Sequence, residues 1–82
     1  MEVSVKVPLS ALPQRDLERI RCLADMAAFI ARALGRQLKP NITWSSDPPG
    51  IITVRHYDAS PPGNAFAEIR LGKKLAYLTV YL

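Results

Sequence analysis

The stretch between Pro13 and Gly35 contains neither proline nor glycine, so nothing in it interrupts a long helix. Apolar residues recur in it at intervals of three and four, which is typical of a helix with one buried face. We expect Ser10 to cap this helix, Pro13 to occupy its first turn, and Gly35 and Pro40 to end it. At about 1.5 Å per residue the helix would be about 34 Å long. It would exceed the roughly 26 Å of an eight-residue strand, so we expect it to cross a sheet diagonally or to overhang it.

Short apolar runs lie on either side of this helix. Val3, Val5 and Val7 alternate with polar residues until Pro8, which predicts a first strand with one buried face. After Pro40, four runs at 41–46, 51–58, 65–71 and 75–82 are separated by short turn sequences rich in proline, glycine or lysine. Sequential strands joined by short turns favour an antiparallel meander. We therefore predict an α+β fold, one long helix packed on an antiparallel sheet in the order β-α-β-β-β-β, within a single domain of residues 1–82.

This order of elements resembles that of cystatin-like folds, in which a sheet wraps around one long helix. The resemblance is one of topology. The sequence has no inhibitory hairpin of the glutamine-valine-glycine type and no proline-tryptophan pair in its last hairpin. The resemblance in topology therefore assigns no residue of this chain a role in protease inhibition.

Composition narrows the class of protein further. Eleven Lys and Arg residues against seven Asp and Glu give a net charge of +4, which either favours anionic partners or serves solubility alone. The single cysteine excludes an internal disulfide framework. The first six residues lack the pattern of a secretory signal, and no apolar run approaches the length of a membrane-spanning helix. We expect a cytoplasmic protein that does not enter the membrane.

No residue pattern in the chain favours catalysis. His56 is the only histidine; Asp58 follows it on the same side of the predicted strand, but a structural role is the better interpretation. Cys22 lies in mid-helix on an apolar ridge, which is typical of a packing residue rather than a nucleophile. No His, Cys, Asp and Glu residues have metal-ligand spacing, and the glycines are not grouped into a phosphate-binding loop. We predict a protein that is not an enzyme, with no metal, cofactor or small-molecule substrate.

The predicted helix carries three kinds of surface. Its core face consists of Leu17, Ile20, Leu23, Ala24, Ala27, Ile30, Ala31, Leu34 and Leu38. The opposite side is polar and mainly basic; it includes Arg32 and Arg36, which either remain solvated or contact phosphate. Between these surfaces lies a second apolar ridge, formed by Cys22, Met26, Phe29 and Ala33. The ridge is covered either by the segment 37–44 or a curling sheet edge, or by the helix of a second copy in a homodimer.

Alternation along the predicted strands sorts their residues into two faces. The first face is aliphatic and belongs under the helix: Ile52, Val54, Ala67, Ile69, Leu71, Ala76, Leu78, Val80 and Leu82. The second face carries aromatic and charged residues and would point away from the helix: Thr53, Arg55, Tyr57, Phe66, Glu68, Arg70, Leu75, Tyr77, Thr79 and Tyr81. Trp44 is predicted to plug the core near the end of the helix.

The second face leads to two functional hypotheses. Tyrosine and arginine are enriched in protein interfaces, so the first hypothesis is a non-enzymatic protein-interaction module of regulatory, inhibitor or adaptor type. Its predicted contact residues are Arg55, Tyr57, Phe66, Arg70, Tyr77 and Tyr81. The alternative is a domain that binds single-stranded nucleic acid by stacking on these rings, with phosphate contacts from Lys73, Lys74, Arg32 and Arg36. A third interpretation needs no ligand, because cross-strand aromatic pairs by themselves stabilise a sheet.

Overall fold

A computed structural model describes residues 1–38, 42–46, 50–56 and 65–82, including all of their side chains except those of Arg55 and His56. Its elements are β1 (Glu2–Pro8), a single 3-10 turn (Leu9–Ala11), α1 (Asp16–Ala33), β2 (Ile42–Ser46), β3 (Ile52–His56), β4 (Ala65–Leu71) and β5 (Leu75–Tyr81). The predicted α+β class and the order β-α-β-β-β-β are confirmed. In the part of the chain described, no helix has both the length and the apolar character needed to cross a membrane.

The five strands form one antiparallel sheet in the order β1-β5-β4-β3-β2. The first strand therefore lies beside the last one, and the chain reaches the opposite edge of the sheet through α1. Four strand spacings amount to about 19 Å, and the 18 residues of α1 span about 27 Å. The helix is thus long enough to carry the chain from one edge to the other, and it contacts β2, β4 and β5 on one face of the sheet.

The helix begins later than the sequence predicts. Ser10 lies inside the 3-10 turn, which the Leu12 N–H closes by donating to the Leu9 carbonyl at 3.1 Å, so Ser10 is not the N-cap. Leu12 is extended, as expected for a residue that precedes proline, and Pro13 lies before the helix rather than in its first turn. Arg15 is the N-cap and makes no side-chain capping bond. The predicted start and the predicted length of about 34 Å are therefore wrong.

The end of the helix follows the prediction. Gly35 has φ +94°, in the left-handed region that favours glycine. Its N–H donates to the Arg32 carbonyl at 3.0 Å, and the Arg36 N–H donates to the Ala31 carbonyl at 2.9 Å. This pair of bonds is a Schellman motif. It turns the chain so that the Arg36 guanidinium donates to the carbonyl of Tyr81, at the end of β5, at 2.6 Å.

The core lies between α1 and the inner face of the sheet. The buried residues of the helix are Leu23 and four alanines, Ala24, Ala27, Ala28 and Ala31. Because alanine is small, the helix can approach the strands closely. The predicted aliphatic face is buried at Ile52, Val54, Ala67, Ile69, Ala76, Leu78 and Val80, with Leu71 half-buried. Trp44 packs against this core while remaining half-buried.

Three of the predicted core positions are wrong. Leu17 is 71% exposed and Leu34 is 54% exposed. They lie in the first turn and at the C-cap of α1, so both are at helix ends that the described part of the sheet does not cover. Leu82 is also exposed, because it lies one residue beyond the end of β5.

A β-bulge changes the direction of Phe66. Val54 of β3 pairs with Ala67 of β4, but the next residue, Arg55, pairs with Ala65. Phe66 is therefore the extra residue of the bulge, and both Phe66 and Ala67 are 0% exposed. The alternation pattern placed Phe66 on the outer face with Glu68. That prediction is wrong, because the bulge breaks the period of two and brings the ring into the core.

Candidate functional site

The sheet face that points away from α1, called here the outer face, carries polar, charged and tyrosine side chains. Strand register identifies its members in the described part of the chain. Its polar, charged and tyrosine members are Glu2, Ser4, Lys6, Thr43, Ser45, Thr53, Glu68, Arg70, Tyr77, Thr79 and Tyr81, and Leu75 of β5 lies at one end of the face, opposite Pro8 of β1.

A row of polar residues crosses all five strands at the middle of the outer face. Ser4 of β1 pairs with Thr79 of β5, which pairs with Glu68 of β4, which pairs with Thr53 of β3, which pairs with Ser45 of β2. The hydroxyl oxygens of Ser45 and Thr53 lie 3.2 Å apart, within hydrogen-bond distance. Glu68 is the single carboxylate of this row, so negative charge lies near the centre of the outer face.

Beside this row, Tyr77 lies between two cations. It pairs with Lys6 of β1 on one side and with Arg70 of β4 on the other. Directly opposed residues have Cβ atoms about 5 Å apart, so both cations can reach the ring or a ligand placed on it. Tyr77 is 42% exposed. It is more accessible than Tyr81, the other tyrosine on the described part of this face.

Gly72 sets the position of the Tyr77 ring. A Cβ atom at residue 72 would lie 3.2 Å from Cε2 of Tyr77 and 2.9 Å from the carbonyl oxygen of Leu75. The Gly72 N–H donates to that same carbonyl at 2.8 Å, which closes the β4–β5 turn. Absence of a side chain at Gly72 therefore lets the turn close and the ring lie against it, as in the pairing of an aromatic residue with a strand glycine.

Tyr81 lies at the other end of the face and is held by acidic neighbours. Partial burial, followed by the charge of Glu68 and a hydrogen bond with its carboxylate, raises the pKa of the Tyr81 phenol. Glu2 lies directly across from Tyr81 on β1 and raises this pKa further. Tyr81 is therefore a protonated donor to Glu68 at neutral pH, and its ring is half-buried.

The outer face carries a groove of about 660 Å³ around Tyr77 and Tyr81. It is open and shallow, with acidic groups at Glu2 and Glu68 and a cation at Arg70. Gly50, Leu71, Gly72, Tyr77, Thr79 and Tyr81 complete its lining. An open groove of mixed charge suits a polypeptide surface better than an enclosed small molecule.

The structure thus brings together Arg70, Tyr77 and Tyr81 of the predicted contact set and removes Phe66 from it. For Arg55 it gives only the backbone position in β3, and Tyr57 lies outside the described residues. Residues of the groove that were not among the predicted contacts include Glu2, Glu68 and Gly72. Alternation already placed Glu68 on this face, but Glu2 joins it only because β1 pairs with β5.

The predicted phosphate contacts do not form one surface. Lys73 and Lys74 are exposed in the β4–β5 turn, next to Gly72. Arg32 is exposed on α1, on the other side of the sheet from the outer face. Arg36 is half-buried, and its guanidinium bonds to the Tyr81 carbonyl, so the prediction that it belongs to a solvated basic stripe is wrong.

The predicted apolar ridge of α1 divides into two parts. Cys22 and Met26 are half-buried, and Met26 packs against the core, so the edge of the protein's own core covers part of the ridge. Phe29 is 73% exposed and Ala33 is exposed. Only this second part is open to a partner.

The residues considered for chemistry do not form a site in the described part of the chain. Cys22 is half-buried, whereas the side chain of His56 and all of Asp58 lie outside the described residues. Within residues 1–38, 42–46, 50–56 and 65–82, no group of three or more His, Cys, Asp and Glu residues could hold a metal ion.

Comparison of the chain with protein-family models, with curated proteins and with solved structures gave no match.

Proposed function

We propose that this protein is a non-enzymatic protein-interaction module, of regulatory, inhibitor or adaptor type, which binds a protein partner through the outer face of its sheet. The observation that carries the proposal is the exposed Tyr77, held between Lys6 and Arg70 in strand register and against Gly72. Tyrosine and arginine on rigid strands contribute large contact area at low entropic cost. Arg70, Tyr77 and Tyr81 are the central contacts, and Arg55 and Tyr57 remain predicted contacts from the sequence.

The distribution of charge supports a protein partner. Among the outer-face side chains that the structure describes, Glu2 and Glu68 offset Lys6 and Arg70, so the face carries both signs although the whole chain has a net charge of +4. A polypeptide surface can supply complementary groups to each of these charges. The phosphates of a nucleic acid laid across the face would pass near Glu68 at its centre, and like charges repel there.

A nucleic-acid-binding domain is the second candidate. It is supported by the exposed pair Lys73 and Lys74, which follows Arg70 at one end of the groove, and by the net charge. Phosphate binding by these groups would weaken steeply with added salt. Fluorescence anisotropy of mixed-sequence single-stranded RNA and DNA at low and near-physiological salt separates the two candidates. The protein-partner proposal predicts no binding at near-physiological salt, and salt-sensitive micromolar binding would favour the alternative.

Quantitative affinity capture tests the proposal directly. The wild type and the variants Tyr77→Ala, Arg70→Glu and Arg15→Glu are used as baits in extracts of cells that produce the protein. Arg15 is exposed at the N-cap of α1, so Arg15→Glu makes the same charge change away from the outer face. We expect a partner that both face variants lose by about 30-fold, the value of an interface hot spot, and that Arg15→Glu retains. Equal recovery with all four baits would contradict the proposal.

A cytoplasmic location is part of the same proposal. It is supported by the single cysteine, Cys22, which is typical of a chain that does not depend on an oxidising compartment. Imaging of a tagged chain in its own cells tests it.

A further inference from the structure

A second groove, called here the helix patch, runs along α1 beside the start of β2. It is lined by Asp25, Ala28, Phe29, Arg32, Ala33 and Ile42 and has a volume of about 550 Å³. Phe29 projects from it and is 73% exposed, whereas Ala28 is buried and forms part of its floor. Asp25 and Arg32 are both exposed. A large apolar side chain therefore lies next to small ones, with a charge of opposite sign on each side.

The order of these residues along the helix is self-complementary. Asp25 and Arg32 lie about 10 Å apart along the axis, because seven residues separate them. They are equally distant from the midpoint between Ala28 and Phe29. A two-fold axis that passes between two antiparallel helices at the level of this midpoint places Asp25 opposite Arg32 of the second copy, and Arg32 opposite its Asp25. The same operation brings the two exposed Phe29 rings together, because Phe29 lies about 50° round the helix from the line through Asp25 and Arg32, and the two-fold axis keeps both rings on the same side of the interface.

We propose that the helix patch binds a second copy of this chain, so that two α1 helices pack antiparallel in a symmetric dimer. A symmetric interface uses the same patch twice and so requires this kind of self-complementarity. A parallel arrangement would place Asp25 against Asp25 and Arg32 against Arg32, and like charges would oppose it. Arg32 also interacts within its own chain; its guanidinium has five donor N–H groups and can serve both partners.

The dimer is independent of the function proposed above. The helix patch lies on α1, which packs on the inner face of the sheet, so association through it leaves the groove around Tyr77 open on each copy. Such a dimer would present two outer faces on opposite sides, and would increase the avidity for a partner with repeated binding sites.

Charge reversal tests the antiparallel register. Sedimentation equilibrium of the wild type over a range of concentrations gives the dimer dissociation constant. Asp25→Arg and Arg32→Asp should each weaken self-association by about ten-fold or more, since each places like charges opposite one another twice. The double variant Asp25→Arg/Arg32→Asp restores both ion pairs in the antiparallel dimer and should recover the wild-type constant. Phe29→Ala should weaken the dimer by a similar factor.

Two controls make the outcome decisive. Arg15→Asp makes the same charge change as Arg32→Asp, but at the exposed N-cap of α1 and outside the helix patch, and should leave the dissociation constant unchanged. An equimolar mixture of Asp25→Arg and Arg32→Asp, each confirmed as folded by circular dichroism, should form a heterodimer. A wild type that remains monomeric at about millimolar concentration, or single variants that dimerise as well as the wild type, would overturn the proposal.

Discussion

Replacement of Phe66 by alanine tests whether the bulge between β3 and β4 turns this ring into the core. Phe66 is among the largest side chains that the fold buries completely. Phe→Ala at such a site removes the transfer free energy of the ring and leaves a cavity, which together cost about 3–5 kcal/mol. A chain of this length has about 4–12 kcal/mol of stability in total. We therefore expect Phe66→Ala to lower the melting temperature by about 12 °C or more, or to unfold the protein.

Two companion variants allow the experiment to be interpreted even if Phe66→Ala does not fold. Phe66→Leu keeps most of the volume and should cost about 1 kcal/mol. Tyr77→Ala removes a residue of the outer face that is 42% exposed, and should also cost no more than about 1 kcal/mol, the value of a cross-strand pair. Thermal and urea unfolding followed by circular dichroism measure all three. If Phe66→Ala melts within about 3 °C of the wild type, the ring is not buried and the register shift is refuted.

Three further predictions concern the helix end and Tyr81. Gly35→Ala forces a side chain into φ +94° and should cost about 1–2 kcal/mol, whereas Gly35→Asn should cost less; equal unfolding free energies of the Ala variant and the wild type would contradict this. Arg36→Ala loses the 2.6 Å bond to the Tyr81 carbonyl and should cost about 1 kcal/mol, against less than about 0.5 kcal/mol for Arg21→Ala on the exposed helix surface. Burial and Glu68 raise the pKa of Tyr81 above its ordinary value of 10.0. The hydrogen bond from the protonated Tyr81 phenol to Glu68 therefore contributes fully to stability below about pH 10, and its contribution is lost as the pH rises through the folded pKa. The difference in unfolding free energy between wild type and Tyr81→Phe should accordingly shrink in urea titrations above about pH 10 and stay constant below it.

The sequence pattern correctly predicted those parts of the fold that depend on residues close together in the chain. The valines of β1 and the apolar residues of β5 alternate with polar ones, and Ala76, Leu78 and Val80 are buried as this period predicts. Gly35 ends the helix because a left-handed conformation is needed at that point. Element order and the polarity of the two sheet faces follow from such features.

The features that the sequence did not predict depend on which strands pair and in which register. No local feature of Glu2 indicates that β1 pairs with β5, so the acidic end of the groove near Tyr81 could not be predicted. The bulge at Phe66 arises from pairing between β3 and β4, and a period-two pattern assigns the wrong face to any residue within such an irregularity. Arg36 resembles a solvated arginine in sequence, because its partner, the Tyr81 carbonyl, lies 45 residues away.

The proposed contact between the outer face around Tyr77 and a protein partner can be probed in living cells. Its most direct test is photo-crosslinking in the cells that produce the protein, with a photoreactive phenylalanine analogue at position 77 and, as control, at position 15. The analogue at position 77 keeps an aromatic ring between Lys6 and Arg70. We predict a discrete crosslinked protein at position 77 that is absent at position 15 and disappears when Arg70→Glu is added. No crosslink at position 77, or the same products at both positions, would contradict the account.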